Sequence, residues 1–169
     1  MEFGFAKGKK KEFLSLNSFM RAFALLSLAS ITFGLTFLVF PFAEWKLHFY
    51  QAGIFTAGFL FGPLAGASVG ALSSSYNALY VLHNPWIIGG NAILGFAAAY
   101  FYTRMHPLKA ALAGFAAQVP YLLVTDIYLT NMPVPVVAGI TLTLLVANII
   151  CALAAWKISE TAAPYLAKN

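Results

Sequence analysis

The stretch FGPLAGASVGALSSSYNALYVLHNPW, from Phe61 to Trp86, joins two dissimilar halves. Its first half repeats small residues every four positions, and its second half carries tyrosines, asparagines, a histidine and a tryptophan. Small side chains on one helix face let two backbones approach closely in lipid. Polar aromatic and amide side chains instead need hydrogen-bond partners. We therefore interpret the first half as a helix-packing surface and the second half as part of a ligand pocket.

The composition of the 169-residue chain predicts an integral membrane protein. Hydrophobic residues make up 61% of the sequence and charged residues only 9%, and the mean hydropathy is +0.80. An ordinary globular domain carries about 25% charged residues. Since a membrane-spanning helix takes about 20 residues, the chain has room for about six of them. The predicted fold is therefore all-α, a compact bundle of six transmembrane helices in a single membrane domain.

Breaks in hydropathy, with prolines at or beside them, give the boundaries of the predicted helices. A proline lacks a backbone donor, so it costs least at a helix end. The predicted spans are Ser18–Phe40, Phe49–Gly62, Leu64–Leu82, Trp86–Thr103, Leu108–Thr125 and Val134–Lys157. The domain layout is then a basic N-terminal segment at 1–17, a membrane domain at 18–157 and a C-terminal tail at 158–169. The first apolar stretch is longer than a signal-peptide core, so we expect it to be retained.

The basic residues predict how the bundle is oriented, because Lys and Arg are enriched in cytoplasmic loops. With the N-terminus inside, the basic residues on the cytoplasmic side are Lys7, Lys9, Lys10, Lys11, Arg21, Arg104, Lys109, Lys157 and Lys168. Lys46 alone would lie outside. We therefore expect both termini to be cytoplasmic. The N-terminal lysines are interpreted as a solvated tail that sets this topology, in preference to a site for lipid or nucleic acid.

Two faces of small residues are candidates for close contacts between helices. The face on the third helix, predicted to pack helices within the chain, consists of Gly62, Gly66, Gly70 and Ser74. The face on the first helix consists of Ala24, Ser27, Ser30 and Gly34. The two faces either pack against each other or leave one of them to dock a partner protein. The single cysteine, Cys151, can form no internal disulfide and is predicted to be a packing residue.

In this topology, polar side chains from several spans gather in the outer half of the membrane. A buried amide without a partner costs about 1–3 kcal/mol, so these groups need a polar ligand, water or one another. Asp126 is also a candidate because acids near the apolar interior of a span are often functional, although a solvated helix end would explain it too. For Trp45, Trp86 and Tyr128 the alternative is an aromatic belt at the interface. The candidate substrate-binding residues are Glu44, Trp45, His48, Asn77, Tyr80, His83, Trp86, Asn91, Gln118, Tyr121 and Asp126.

Motifs of several chemistries are missing from the sequence. There is no phosphate-binding loop of the type G-x-x-x-x-G-K-[ST], so the chain does not hydrolyse ATP by itself. Neither a zinc-protease H-E-x-x-H pair, nor a cysteine cluster, nor a G-x-S-x-G elbow occurs. Two histidines and two acids would lie at the outer face, but their spacing fixes no metal-coordination geometry. They are His48, His83, Glu44 and Asp126. We predict neither enzymatic activity nor a bound metal or cofactor.

Taken together, these residues resemble the substrate-binding S components of energy-coupling factor (ECF) vitamin transporters. The resemblance rests on six short helices, a basic start, GFLFGPLAGASVGAL at residues 58–72 and NPWIIGGNAILGFAAAYFYTR at residues 84–104. It covers Ser18 to Trp156 and implies capture of a vitamin or cofactor precursor outside a prokaryotic plasma membrane. It also implies delivery through a transmembrane T subunit and two ABC ATPases, with the first outer loop as a lid.

The chain departs from the family pattern at the predicted docking surface. Such S components present alanines four residues apart on the first helix, whereas here Ala24 is followed by Ala29. The nickel and cobalt members bear a histidine near an outward N-terminus, while this chain begins Met1-Glu2-Phe3. An organic ligand is therefore favoured. Aromatic walls with one or two acids suit a flat, polar heterocycle, including a cationic one, such as thiamine or its pyrimidine precursor, and less well a deazapurine.

Two other classes of protein remain as alternatives. A small assembly protein, resembling the rod-shape protein of bacterial cell-wall machinery, needs packing glycines but no polar pocket. A stand-alone secondary transporter needs polar groups at the midplane and an inverted repeat. The polar residues of this chain are predicted on one side only, and we recognise no inverted repeat in the sequence.

Overall fold

The computed structural model of the protein describes residues 17–42 and 45–166. Within these residues the chain forms six α-helices, which pack into one bundle, and one β-hairpin. The elements are α1 Ser18–Leu35, β1 Val39–Phe42, β2 Trp45–His48, α2 Gln51–Phe61, α3 Pro63–Tyr76, α4 Trp86–Tyr102, α5 Pro107–Val124 and α6 Val134–Leu166. The π-helical turns Asn77–Val81 and Thr125–Leu129 extend α3 and α5. The predicted bundle of six helices is thus present, with a hairpin that the sequence-based prediction lacked.

The hairpin replaces the end of the first predicted span. Helix α1 ends at Leu35, and β1 pairs antiparallel with β2 so that Val39 lies opposite His48. The span was predicted to continue to Phe40, because a short apolar run does not distinguish a strand from a buried helix. Pro41 fits β1 because this strand has a free edge, where a missing backbone donor is tolerated. The purely α-helical prediction was therefore wrong for this segment.

At the opposite end of the chain, the last helix is longer than predicted. Helix α6 continues to Leu166, well past Lys157, and contains Pro164 near its end. The residues between Lys157 and Leu166 contribute to packing. Ser159 is buried, and Ala162 and Ala163 pack against residues of α2 and α3. Most of the segment predicted as a tail is therefore helical.

Glycines bring α3 into backbone contact with α4. A Cβ atom on Gly66 would lie 2.5 Å from the carbonyl oxygen of Gly95, and a Cβ on Gly70 would collide with the carbonyl of Asn91. Side chains at either position would therefore push the two helices apart. Ser74, on the same face, is buried and donates its hydroxyl hydrogen bond to the Gly70 carbonyl at 2.7 Å. The small-residue face of α3 meets α4.

Gly62 has a separate role, at the reversal between α2 and α3. Its φ of 98° lies in the left-handed region that favours glycine, and Pro63 follows as the first residue of α3. Next to this turn, Arg21 of α1 donates a hydrogen bond to the carbonyl oxygen of Phe61 at 3.0 Å. That carbonyl is one of those left without an intrahelical partner at the end of α2.

The core of the bundle lies between α2, α4, α5 and α6. Its buried cluster consists of Phe55, Phe59, Leu94, Ala98, Ala111, Phe115, Cys151, Ala152 and Ala155. Cys151 is 1% exposed, in agreement with the predicted packing role, and its thiol lies 3.5 Å from the carbonyl oxygen of Phe49. This core separates the two ends of the bundle.

The exterior of the bundle is strongly apolar. Large side chains such as Phe19, Phe23, Leu72, Leu142 and Ile158 are about half exposed or more. Among the described residues, Pro107–Leu129 and Val134–Leu166 are long and apolar enough to cross a membrane, and three shorter helices are apolar as well. An exterior of this kind is expected of a protein surrounded by lipid.

The small-residue face predicted on α1 divides between core and surface. Ala24 packs beside the buried cluster of Leu60, Phe61 and Ala65. Ser30 and Gly34 are exposed, and a Cβ on Gly34 would meet no atom of the described residues within 4 Å. Only part of this face is thus open to a partner.

Candidate functional site

A cavity of about 390 Å³ lies at the end of the bundle that carries the β-hairpin. We call it the hairpin-end cavity. Its lining comes from the end of β2, the start of α2, the ends of α3 and α5, the start of α4 and the first half of α6. The lining residues are His48, Tyr50, Asn77, Leu82, Asn84, Trp86, Ile87, Gly90, Asn91, Gln118, Tyr121, Leu122, Thr125, Asp126, Met132, Ile140, Thr143 and Leu144.

Helices α3 and α5 end at this cavity in the same unusual way. The sequences NALYVLHNP at residues 77–85 and TDIYLTNMP at residues 125–133 each form a π-helical turn and then a residue with positive φ before a proline. The backbone N–H of Asn84 donates to the carbonyl of Ala78 at 2.8 Å, and that of Met132 donates to the carbonyl of Asp126 at the same distance. Both motifs therefore return the chain into the cavity, at Asn84 and Met132.

The two motifs are joined by a pair of buried side chains. Asn84 is 3% exposed and Asp126 is 7% exposed, and Asn84 Nδ2 donates to Asp126 Oδ1 at 2.9 Å. The Oδ1 atom of Asn84 in turn accepts from the backbone N–H of Trp86 at 3.2 Å, at the start of α4. Asn84 thus orients the acid and caps a helix with the same side chain.

A second polar pair crosses the bundle at the start of α4. Asn91 Nδ2 donates to the hydroxyl oxygen of Tyr50 at 3.1 Å and to the carbonyl oxygen of Ile87 at 3.1 Å. Both Asn91 and Tyr50 are buried. This pair ties α4 to the start of α2, directly after the hairpin.

Helix α5 lines the cavity with one continuous face, and glycines of α4 make room for it. The face consists of Gln118, Tyr121, Leu122, Thr125 and Asp126. A Cβ on Gly90 would lie 3.2 Å from Gln118 Nε2, and one on Gly89 would collide with the hydroxyl of Tyr121. The buried Oε1 atom of Gln118 has no hydrogen-bond partner among the described residues. A ligand that donates a hydrogen bond to this oxygen would remove the free-energy cost of burying an acceptor without a partner.

The structure brings most of the sequence-predicted candidates together around the cavity. Those in the lining are His48, Asn77, Trp86, Asn91, Gln118, Tyr121 and Asp126. Tyr80 is 70% exposed and His83 is exposed, and neither lines the cavity. Glu44 lies outside the described residues, as does the side chain of Trp45.

Several lining residues were missed by the sequence analysis. Tyr50 accepts a hydrogen bond from Asn91, and Asn84 donates one to Asp126. Thr125 and Thr143 add hydroxyl groups to the lining. Asn84 directly precedes Pro85, a pattern typical of turns, which was the available signal for a helix-capping side chain. Thr143 gives no such signal, since a threonine within an apolar helix usually bonds to its own backbone, as here to the Gly139 carbonyl at 2.9 Å.

The described residues contain no group of three or more His, Cys, Asp and Glu side chains that could hold a metal ion. The site therefore offers hydrogen bonds, one acid and aromatic rings. These are groups that bind and orient a small organic molecule.

Comparison with known proteins identifies the fold. Neither the protein-family models nor the curated proteins gave a match. The six helices with their hairpin have the fold of an ECF transporter S component. A solved structure described as the S component of a bacterial ECF transporter matches with a TM-score of 0.70 and 20% sequence identity, covering 89% of this chain and 99% of that chain. At this identity the likeness establishes the fold, and it confirms the resemblance noted in the sequence.

Proposed function

We propose that the protein is the substrate-capture (S) subunit of an ECF-type ABC importer in a prokaryotic plasma membrane. The observation that carries this proposal is the hairpin-end cavity, in which buried polar side chains from α2, α4 and α5 converge inside an S-component fold. A volume of about 390 Å³ lies within the range of roughly 300–1,000 Å³ that is usual for small-molecule sites. The cavity is thus suited to one small ligand.

The distribution of basic residues supports an outward-facing cavity. Arg21 lies beside the end of α2, Arg104 follows α4, Lys109 is in the first turn of α5, and Lys157 is in the second half of α6. All four are therefore distant from the hairpin along their helices. Because basic residues are enriched on the cytoplasmic side, the hairpin end faces outside and receives its ligand there.

The ligand that we propose is a water-soluble vitamin or cofactor precursor with a flat polar ring. Trp86 and Tyr121 supply rings in the lining, and Asn91, Gln118 and Asp126 supply polar atoms. Thiamine or its pyrimidine precursor has both features, and a deazapurine fits less well. Rings gain from stacking and cation–π contacts, and polar edges gain from the amides and the acid.

Delivery across the membrane requires partners, since the sequence has no nucleotide-binding loop. We propose a transmembrane T subunit and two ABC ATPases, with Ser30 and Gly34 of α1 in the docking surface. Ser27 is half-buried beside them. Ala24 is engaged within the bundle and contributes less.

The repeated helix end argues against a stand-alone secondary carrier of the inverted-repeat type. In such carriers the two repeats have opposite orientation in the membrane. Here the motifs at the ends of α3 and α5 lie at the same end of the bundle and line one cavity. An assembly protein without a ligand leaves the buried polar lining unexplained.

The proposal is tested by mass spectrometry of small molecules that copurify with the protein, followed by uptake of the identified compound in cells. Uptake is expected only when the T subunit and the ATPases are produced together with this chain. Uptake by the chain alone would favour the carrier, and the absence of any small molecule that binds at micromolar concentration would favour the assembly protein.

A further inference from the structure

Several hydrogen-bond donors of the cavity wall are already engaged within the protein. The amide nitrogen of Asn84 donates to Asp126, and that of Asn91 donates to Tyr50 and to the backbone. The hydroxyls of Thr125 and Thr143 donate to carbonyls of their own helices. These four side chains are therefore engaged as donors within the protein, whereas the carboxylate of Asp126 and the amide oxygen of Gln118 can accept hydrogen bonds from a ligand.

Two hydrogen-bond acceptors on the cavity face of α5 and its π-helical turn are available to a ligand. Gln118 Oε1 is buried without a partner among the described residues, and Asp126 accepts a hydrogen bond from the neutral side-chain amide of Asn84. Gln118 and Asp126 are two turns apart on the cavity face of one helix. Both acceptors therefore face the same cavity, at backbone positions about 11 Å apart along the helix axis.

Among the described residues, no lysine or arginine of the cavity wall balances the charge of Asp126. Neither Lys nor Arg is found among the described lining residues, and His48 is the lining side chain that can become cationic. A buried carboxylate is costly unless it is paired, and bonds between ionised groups are roughly twice as strong as neutral ones. A positive group on the ligand would supply the missing charge.

We propose that the cavity selects a small ligand with a cationic or multiply hydrogen-bond-donating nitrogen edge, which pairs with Asp126 and extends toward Gln118. This inference rests on the proposed capture function and narrows its substrate class. Amidinium groups, aminopyrimidines and ring ammonium groups meet the requirement. Ligands whose polar edge is a carboxylate or a phosphate do not, because they would place a second negative charge beside a buried acid.

Three probes of one shape and different charge test the inference: benzamidinium, benzamide and benzoate. Each is titrated calorimetrically into wild-type protein freed of copurified ligand. Benzamidinium is expected to bind about tenfold more tightly than either of the others, the effect of one charge-assisted contact. Asp126→Asn should remove this preference, and Gln118→Glu, which adds a second acid, should increase it. Glu160→Gln is the matched control, because Glu160 is an exposed acid on α6 outside the cavity.

The outcomes separate this inference from the function on which it rests. Equal binding of the three probes, tighter binding of benzoate, no probe binding, or an unchanged preference in Asp126→Asn would overturn it. If Asp126→Asn does not fold, Gln118→Glu provides the test, and a preference for benzamidinium that does not increase in this variant would overturn the inference. A protein that binds its copurified ligand but shows no preference for benzamidinium retains the capture function and loses the inference about charge. A protein that binds no small molecule and supports no uptake loses the capture function itself.

Discussion

Asn84 and Asp126 are 42 positions apart in the chain, and Asn84 Nδ2 donates to Asp126 Oδ1 at 2.9 Å. Asn84 follows the π-helical turn at the end of α3, and Asp126 lies within the π-helical turn at the end of α5. Single-turn π-helices are frequent at functional sites, where they redirect side chains. The pair therefore links the fold's repeated feature to its one buried cavity acid.

The first prediction concerns this pair. Asn84→Ala removes the donor to Asp126 and the cap on the backbone N–H of Trp86, so ligand affinity is expected to fall by about 1–3 kcal/mol. Calorimetric titration with the copurified ligand measures the change. Tyr80→Phe is the control, since Tyr80 is exposed and outside the lining. Equal affinities of Asn84→Ala and wild type would show that the pair does not shape the site.

The second prediction concerns the contact between α3 and α4. Gly66→Leu places a side chain against the Gly95 carbonyl, and backbone cannot rotate away as a side chain can. We expect destabilisation of about 3 kcal/mol or loss of folded protein. Gly34→Leu is the matched control, because a Cβ there meets no described atom within 4 Å. Melting curves in detergent compare the two, and equal melting temperatures would contradict the close contact.

The third prediction concerns the glycine that gives Gln118 its space. A Cβ at residue 90 would lie 3.2 Å from Gln118 Nε2, so Gly90→Ala must displace this amide. Ligand affinity is expected to fall by about 1 kcal/mol while the melting temperature of the empty protein changes little, because the amide lies at a cavity. The measurement is titration beside a melting curve. A large loss of stability with unchanged affinity would assign Gly90 to packing alone.

The fourth prediction concerns orientation. An impermeant amine reagent added outside intact cells should fail to label the lysines from Lys7 to Lys11 and Lys168, which lie outside the described residues. The reason is the excess of basic residues at the end of the bundle away from the hairpin. Permeabilised cells provide the positive control for labelling. Reaction of either terminus in intact cells would overturn the outward orientation of the cavity.

The helices were predictable because their boundaries carry strong local signals. Pro63 and Pro107 begin helices, and Trp86 begins α4 directly after Pro85. The hairpin was not predictable, since Val39 to Phe42 are apolar in either conformation and their pairing with β2 is a tertiary feature. The end of α6 was missed because hydropathy marks where a helix leaves lipid and not where the helix itself ends.

The site was predictable in part, through the cost of burying amides. That argument selected Asn91 and Gln118, which line the cavity. Placement in the outer half of the third predicted span selected His83 as well, but the positive φ of this residue belongs to the turn after the π-helix, and its side chain is exposed. Residues 77–85 and 125–133 repeat one backbone geometry and share a tyrosine (Tyr80 and Tyr128) and a proline (Pro85 and Pro133), whereas Ala78 stands at the position of Asp126. The two shared residues are too few to reveal the common π-helical turn, which the structure makes evident.

The most direct test of the central claim is calorimetric titration of the copurified ligand into wild type, Trp86→Ala, Asn91→Ala and Asp126→Asn, beside melting curves of each empty protein. Removal of the ring is expected to cost about 0.5–2 kcal/mol of affinity, and removal of the amide or the acid about 2–3 kcal/mol. Melting temperatures of the empty variants should change much less, because these side chains line a cavity. Unchanged affinity in all three variants would contradict capture of a ligand in the hairpin-end cavity.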